Sequence, residues 1–166
     1  MEAAPPPHEA AAGYLAEVGG YINRHLRRIV EEESHLALRP LLEYALLSEG
    51  KRVRPAIVIL SAQAVGGTRE AVTSLALSFE LVHTATLIHD DIVDEDVIRR
   101  NLPTLRQKWS EDAAVVVGDA LIALAIGLAA DYGPSIMKTV SRYALQICDG
   151  EYMDTSLTLD GSTEEL

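Results

Sequence analysis

The chain has 166 residues, 48% of them hydrophobic and 23% charged, with a formal net charge of −11. That length fits one domain with a real core, and the acidic balance argues against nucleic acid or an anionic membrane as a general partner, so an anionic substrate must be met by local cations or metal. The single Cys148 excludes a disulfide framework and fits a reducing, cytoplasmic setting.

Residues 1–12 are Ala- and Pro-rich, with Pro5, Pro6 and Pro7 together. They read as a disordered or extended leader rather than a signal peptide, ahead of a single helical domain over 13–166. From Tyr14 to about Glu33, the residues Leu15, Val18, Ile22, Leu26 and Ile29 recur at three- and four-residue steps and predict an amphipathic helix. Pro40 opens a second helix, with Leu41, Leu42, Ala45 and Leu46 as its apolar stripe and Gly50 after its end. The knot G-K-R-V-R-P (residues 50–55) then sets Lys51, Arg52 and Arg54 beside a helix start at Pro55. Cations next to free N–H groups make a phosphate seat, although a solvated basic turn has the same composition.

A long fourth helix is expected from Thr68 to about Asp94, apolar nearly all round and therefore central. It ends in Asp90, Asp91, Asp94, Glu95 and Asp96, followed by Arg99 and Arg100. Asp90 and Asp94, four apart, project from one helical face. Like charges there repel each other and oppose the helix dipole, so a cation should compensate them. Mg²⁺ takes oxygen ligands and is typically held by one or two carboxylates plus phosphates, which makes Asp90 and Asp94 the candidate ligands. Arg99 and Arg100 are placed to give forked donors to the same phosphates. An acidic helix end is also what a solvated face looks like.

After a break at Asn101, Leu102 and Pro103, Ser110 caps a fifth helix to about Tyr132, and a sixth runs from behind Gly133 and Pro134 to about Ser156. The apolar run Ala113–Ala130 contains Asp119 and reads as a buried helix, not a transmembrane segment. No strand-like alternation of useful length occurs, so the fold class is all-α: an antiparallel bundle of about six helices with short connections. The tail D-G-S-T-E-E-L carries a helix-cap pattern with no helix behind it, and the expectation is that sequence is missing there.

Five motifs lie in register over residues 50–154: G-K-R-V-R-P, E-x-x-H with H-D-D-x-x-D, R-R-x-x-P-T, G-D-A-L and G-E-Y-M-D. Together they resemble the N-terminal half of the trans-isoprenyl diphosphate synthases, the polyprenyl synthetase family, of geranylgeranyl diphosphate synthase type. The resemblance implies half of an isoprenoid synthase bundle and a Mg²⁺-dependent prenyltransferase joining isopentenyl diphosphate to an allylic diphosphate. It implies that Lys51, Arg54, His83 and Arg100 hold isopentenyl diphosphate, that Arg99 grips the allylic diphosphate, and that Asp90 and Asp94 bind the metal. Asp90, Asp91, Asp94 and Arg99 are thereby the expected catalytic set.

Two small departures from the family pattern are Asn101, where many members have Gly, and Glu151, where many have Gln. The large one is the absence of the second Asp-rich motif. The expected assembly is therefore a homo-oligomer, or a heteromer with a chain supplying that motif; the alternative is a non-catalytic regulatory or binding subunit of a heteromeric synthase. Ala85 and Thr86, small residues where the family places bulky stops, with Val82 and Phe79 further down the helix, imply a geranylgeranyl-class or longer product. Glu80 is expected to pair with Arg52 or Arg54, and His89 and Trp109 to be structural.

Overall fold

The computed structural model describes residues 6–32, 37–48 and 50–160, with side chains to Ser156. The expectations for residues 1–5, for a first helix ending at Glu33 and for the 161–166 tail lie outside the described residues. Among the described residues there are seven α-helices: α1 (Pro7–Glu32), α2 (Arg39–Leu47), α3 (Val53–Ala64), α4 (Thr73–Val93), α5 (Leu105–Lys108), α6 (Glu111–Ala130) and α7 (Gly133–Asp160). A 3-10 turn at Glu70–Val72 precedes α4, and two short antiparallel strands, β1 (Ile98–Arg99) and β2 (Leu102–Pro103), follow it. The fold is all-α, as the periodicity predicts; the helix beyond the expected six is the single turn α5.

The first helix begins at Pro7, well before Tyr14, so residues 7–12 are helical instead of a disordered leader. Pro7 stands at the first helical position, where its missing N–H costs nothing, and the alanines after it are the best helix formers. The fourth helix starts later than expected, because the chain from Thr68 first makes the 3-10 turn. Pro55 lies inside the first turn of α3, which starts at Val53.

Packing divides the chain into two compact units between Leu128 and Ala129. In the first, α1 buries Val18, Ile22, Leu26 and Val30 at four-residue spacing against α2, α3 and α4. From α4, Ala76, Leu77, Leu81, Ala85 and Ile88 enter the same core, joined by Ala114, Val117, Leu121 and Ala125 of α6. Each fully buried Leu or Ile in this core contributes about 1.5–3 kcal/mol relative to exposure. The second unit is chiefly α7, on which Tyr143, Leu145, Ile147, Tyr152 and Met153 are exposed.

Burial of α4 is not all-round. Leu75, Val82, Thr86 and Asp90 are only half-buried and Phe79 is 38% exposed, so one strip of the helix stays open. By length and apolar composition alone, 70–93 and α6 are long enough to cross a membrane, with 50% and 33% of those windows buried within the fold.

Candidate active site

The site forms where α4 ends. Asp94 donates its N–H to the Asp90 carbonyl at 2.8 Å, so the helical turn joining the two carboxylates is intact. Termination follows at once: Glu95 takes a left-handed conformation (φ 55°), its N–H reaches the Ile92 carbonyl, and the Asp96 N–H reaches the Asp91 carbonyl. These are the paired bonds of a Schellman motif, with Glu where Gly is usual. The chain then turns back through the β1–β2 hairpin, in which Ile98 pairs with Pro103 and Arg99 with Leu102. Arg100 (φ 51°) and Asn101 (φ 63°) are its two central residues, the double positive φ of a type I′ turn. Asn tolerates that region far better than most side chains, so Asn101 is a conformationally sound replacement for Gly.

The hairpin is tied down on both sides. Thr104 donates its hydroxyl to the Asp96 carbonyl at 2.9 Å, and Tyr44 of α2 donates its hydroxyl to the Pro103 carbonyl at 2.6 Å. Trp109 packs edge-on against Tyr44, with ring centroids 5.1 Å apart, in the structural role expected of it.

The three motif aspartates divide by environment. Asp91 is 5% exposed and accepts a hydrogen bond from Arg99, which also reaches Asp96 at 3.4 Å. Neither Asp90 nor Asp94 makes an ion pair or side-chain hydrogen bond with any described residue. Burial raises the Asp90 pKa above its ordinary value; Arg99 opposes this and Asp94 adds to it. Burial likewise raises the Asp91 pKa and outweighs its Arg99 partner.

A second group gathers around a cavity of about 740 Å³ lined by Lys51, Arg54, His83 and Arg100, together with Asn23, Gly50, Arg52, Val53, Glu80 and Asn101. The Arg100 guanidinium lies over Gly50, so close that a β-carbon there would stand 3.0 Å from its Nη1. Glu80 is the only acid among the described lining residues and is already paired with Arg52 at 2.7 Å. The cavity is therefore a cationic one. Burial lowers the His83 pKa, with Arg54, Arg100 and Arg99 acting in the same direction and Glu80 against them.

The structure thus brings together Lys51, Arg54, His83 and Arg100, and separately Asp90 and Asp94. Arg52, counted among the seat cations from sequence, is instead 4% exposed and fully engaged. Phe79, Val82 and Thr86 lie within about 20°, 80° and 40° of Asp90 around α4, but Ala85 is about 140° away. Ala85 is 0% exposed in the core, so it does not share the strip below Asp90. One contact that sequence reasoning missed concerns G-D-A-L: a β-carbon on Gly118 would collide with His89 Nε2, so only glycine lets that ring lie on α6.

The polyprenyl synthetase family model matches residues 35–165. The chain belongs to the polyprenyl synthetase family. It is 39% identical over 129 residues to a geranylgeranyl diphosphate synthase of Methanosarcina mazei, covering 74% of this chain and 39% of that protein. It is 33% identical over 162 residues to a geranylgeranyl diphosphate synthase of Saccharolobus solfataricus, covering 92% of this chain and 48% of the relative. Among solved structures, the geranylgeranyl pyrophosphate synthetase of Pyrococcus horikoshii superposes with a TM-score of 0.83 at 28% identity, over 92% of this chain and 49% of that one. The chain spans about half or less of the length of these relatives.

Proposed function

We propose that this polyprenyl synthetase chain acts in a prenyltransferase reaction, condensing isopentenyl diphosphate with an allylic diphosphate to give a geranylgeranyl or longer product. The observation that carries the reading is the pair of sites: a cationic cavity beside two carboxylates that the described residues leave unpartnered. Two diphosphates need two seats, and the seats differ in chemistry. The cavity of Lys51, Arg54, His83 and Arg100 suits a diphosphate held by direct charge. Asp90 and Asp94 suit one held through metal.

Mg²⁺ fits that pair. Two carboxylates on one helical turn supply part of an oxygen shell, and water with diphosphate oxygens completes it. When bound, the ion offsets charge developing on the departing diphosphate. Around it the chain's own groups do the rest. Arg99, held by Asp91 and Asp96 beside the acids, is positioned to exchange a carboxylate for a phosphate oxygen; Asp91 positions Arg99 in this reading and stays clear of the metal. The allylic C–O bond breaks as diphosphate leaves, the isopentenyl double bond forms the new C–C bond, and the released diphosphate takes the proton that the resulting cation gives up. The open apolar strip of α4 below Asp90 gives the growing chain a dry wall that excludes water from the cation.

The α6 residues Val115, Ile122 and Ile126 are exposed at helical spacing, which supports function in a homo-oligomer or in a heteromer with a chain bearing the second Asp-rich motif. The test is isoprenoid diphosphate formation by the purified chain, alone and mixed with candidate partner chains. Activity in a mixture that Asp90→Ala abolishes is the expected result. Product formation unchanged by Asp90→Ala would overturn the catalytic reading in favour of a regulatory subunit.

A further inference from the structure

We infer that Arg52 is the positioning residue of the cationic cavity, a buried hub that fixes Lys51 and Arg54 at the spacing from His83 that one diphosphate requires. The inference rests on the proposed reading of that cavity as a diphosphate seat.

The cavity's cations come from separate elements: Lys51 and Arg54 from the start of α3, His83 from α4 and Arg100 from the hairpin. Exposed Lys and Arg side chains of like charge repel, so a preorganised seat needs something else to hold the backbones together. Arg52 spans that gap. Its Nη1 donates to Glu80 on α4 at 2.7 Å, one helical turn before His83. Its Nε donates to Asn23 on α1 at 2.9 Å. Its Nη2 donates to the carbonyls of Leu46 and Ser48 at 2.7 and 3.0 Å, capturing the end of α2. One guanidinium therefore ties α1, the end of α2 and α4 to the residue immediately before α3.

The geometry is special at both ends. The Arg52 backbone is left-handed (φ 50°), a region that disfavours a long side chain, and it is the N-cap of α3 without a side-chain cap of its own. The side chains of Arg52 and Glu80 are 2% and 6% exposed. A buried ion pair is weak evidence for stability, since hydrophobic replacements of similar volume are often neutral or better. What a hydrophobic pair does not reproduce is the fork that holds two carbonyls and fixes the direction in which Lys51 and Arg54 leave the turn. Such displacements are costly to anion binding, because a shift of about 1 Å is enough to lose most of a bidentate contact.

The experiment titrates inorganic pyrophosphate into the full chain by calorimetry, with EDTA present so that only the metal-independent seat is read. Thermal unfolding of every variant is recorded alongside. Lys51→Ala and Arg54→Ala test the seat; Arg52→Met with Glu80→Leu, changed together so that no buried charge is orphaned, tests the hub. The expected result is roughly tenfold or greater weakening by the double variant, at a Tm close to wild type. Asn23→Ala removes one acceptor only, and is expected to weaken pyrophosphate binding about threefold while folding normally; it stands in if the double variant does not fold. Weakening by Lys51→Ala and Arg54→Ala, with wild-type affinity in the folded hub variants, would overturn the positioning role and leave the seat intact. No effect of Lys51→Ala or Arg54→Ala, or no binding by the wild type, would overturn the seat itself and the inference with it.

Discussion

Burial shifts the pKa of both Asp90 and His83 toward the less charged form. For His83, burial and three arginines push the pKa below its ordinary 6.5. Between the folded and unfolded values the unfolded chain binds more protons, so stability rises with pH through that window and is lost on acidification. A diphosphate reverses the field, so binding should draw a proton onto His83 and raise its pKa. NMR titration of the ring with and without pyrophosphate checks this, and a saturated complex with an unmoved His83 would remove it from the seat. For Asp90 the folded pKa is raised, so its ionisation works against the fold as pH rises. Asp90→Asn should therefore stabilise the chain slightly at pH 7, by a few tenths of a kcal/mol, and the gain should vanish as pH falls below the Asp90 pKa. The same variant should abolish Mg²⁺-dependent stabilisation.

At the scale of elements, the motifs were legible where chemistry is local and illegible where conformation is. The i, i+4 spacing placed Asp90 and Asp94 on one face, Ser110 caps α6 by accepting from the Ala113 N–H at 3.1 Å, and Glu80 pairs with Arg52. The hairpin escaped notice because two-residue strands offer no alternation to read, and its I′ turn is built from Arg100-Asn101 rather than Asn-Gly. That turn aims Arg99 at Asp91 from one side and leaves Arg100 over Gly50 on the other. Asn101→Val should cost about 1–3 kcal/mol, since a β-branched residue is strained at positive φ, whereas Asn101→Gly should be nearly neutral; equal melting temperatures for the two would contradict the turn assignment. Gly118 was visible only as a motif letter. Gly118→Ala should push the His89 ring off α6, and the packing lost there should offset the roughly 0.5–1 kcal/mol that alanine gains over glycine inside a helix; His89→Ala in the same chain should uncover that gain in chemical denaturation.

At the scale of the whole molecule, the proposed reaction makes the bundle the element that would set which way a growing isoprenoid runs. Sequence position alone treats Ala85 and Thr86 as neighbours on one path, because each lies about one turn before Asp90. The fold separates them: Ala85 is 0% exposed in the core that contains Leu81 and Val117, while Thr86, Val82 and Phe79 lie on the open strip of α4. Phe79 is eleven residues before Asp90, about 16 Å down the helix axis, and is the first aromatic on the Thr86–Val82 side of that line; His83, seven residues before Asp90 and about 20° to the other side, lines the cationic cavity. A product held along the strip should therefore be shortened by a bulky residue at Val82 or Thr86, and at Thr86 with little cost because that face is not packed shut. A phenylalanine at Ala85 meets core on every side, and overpacking there should cost about 1–3 kcal/mol, or several degrees in Tm for a chain of this size. In an active assembly, chromatography of the products should show Thr86→Phe moving the distribution to shorter chains with unchanged Tm, Val82→Phe doing so with some loss of Tm because Val82 also packs against the core, and Ala85→Phe lowering Tm first. A shortened product from a fully stable Ala85→Phe chain would mean that the isoprenoid passes the buried face of α4 instead of the open one.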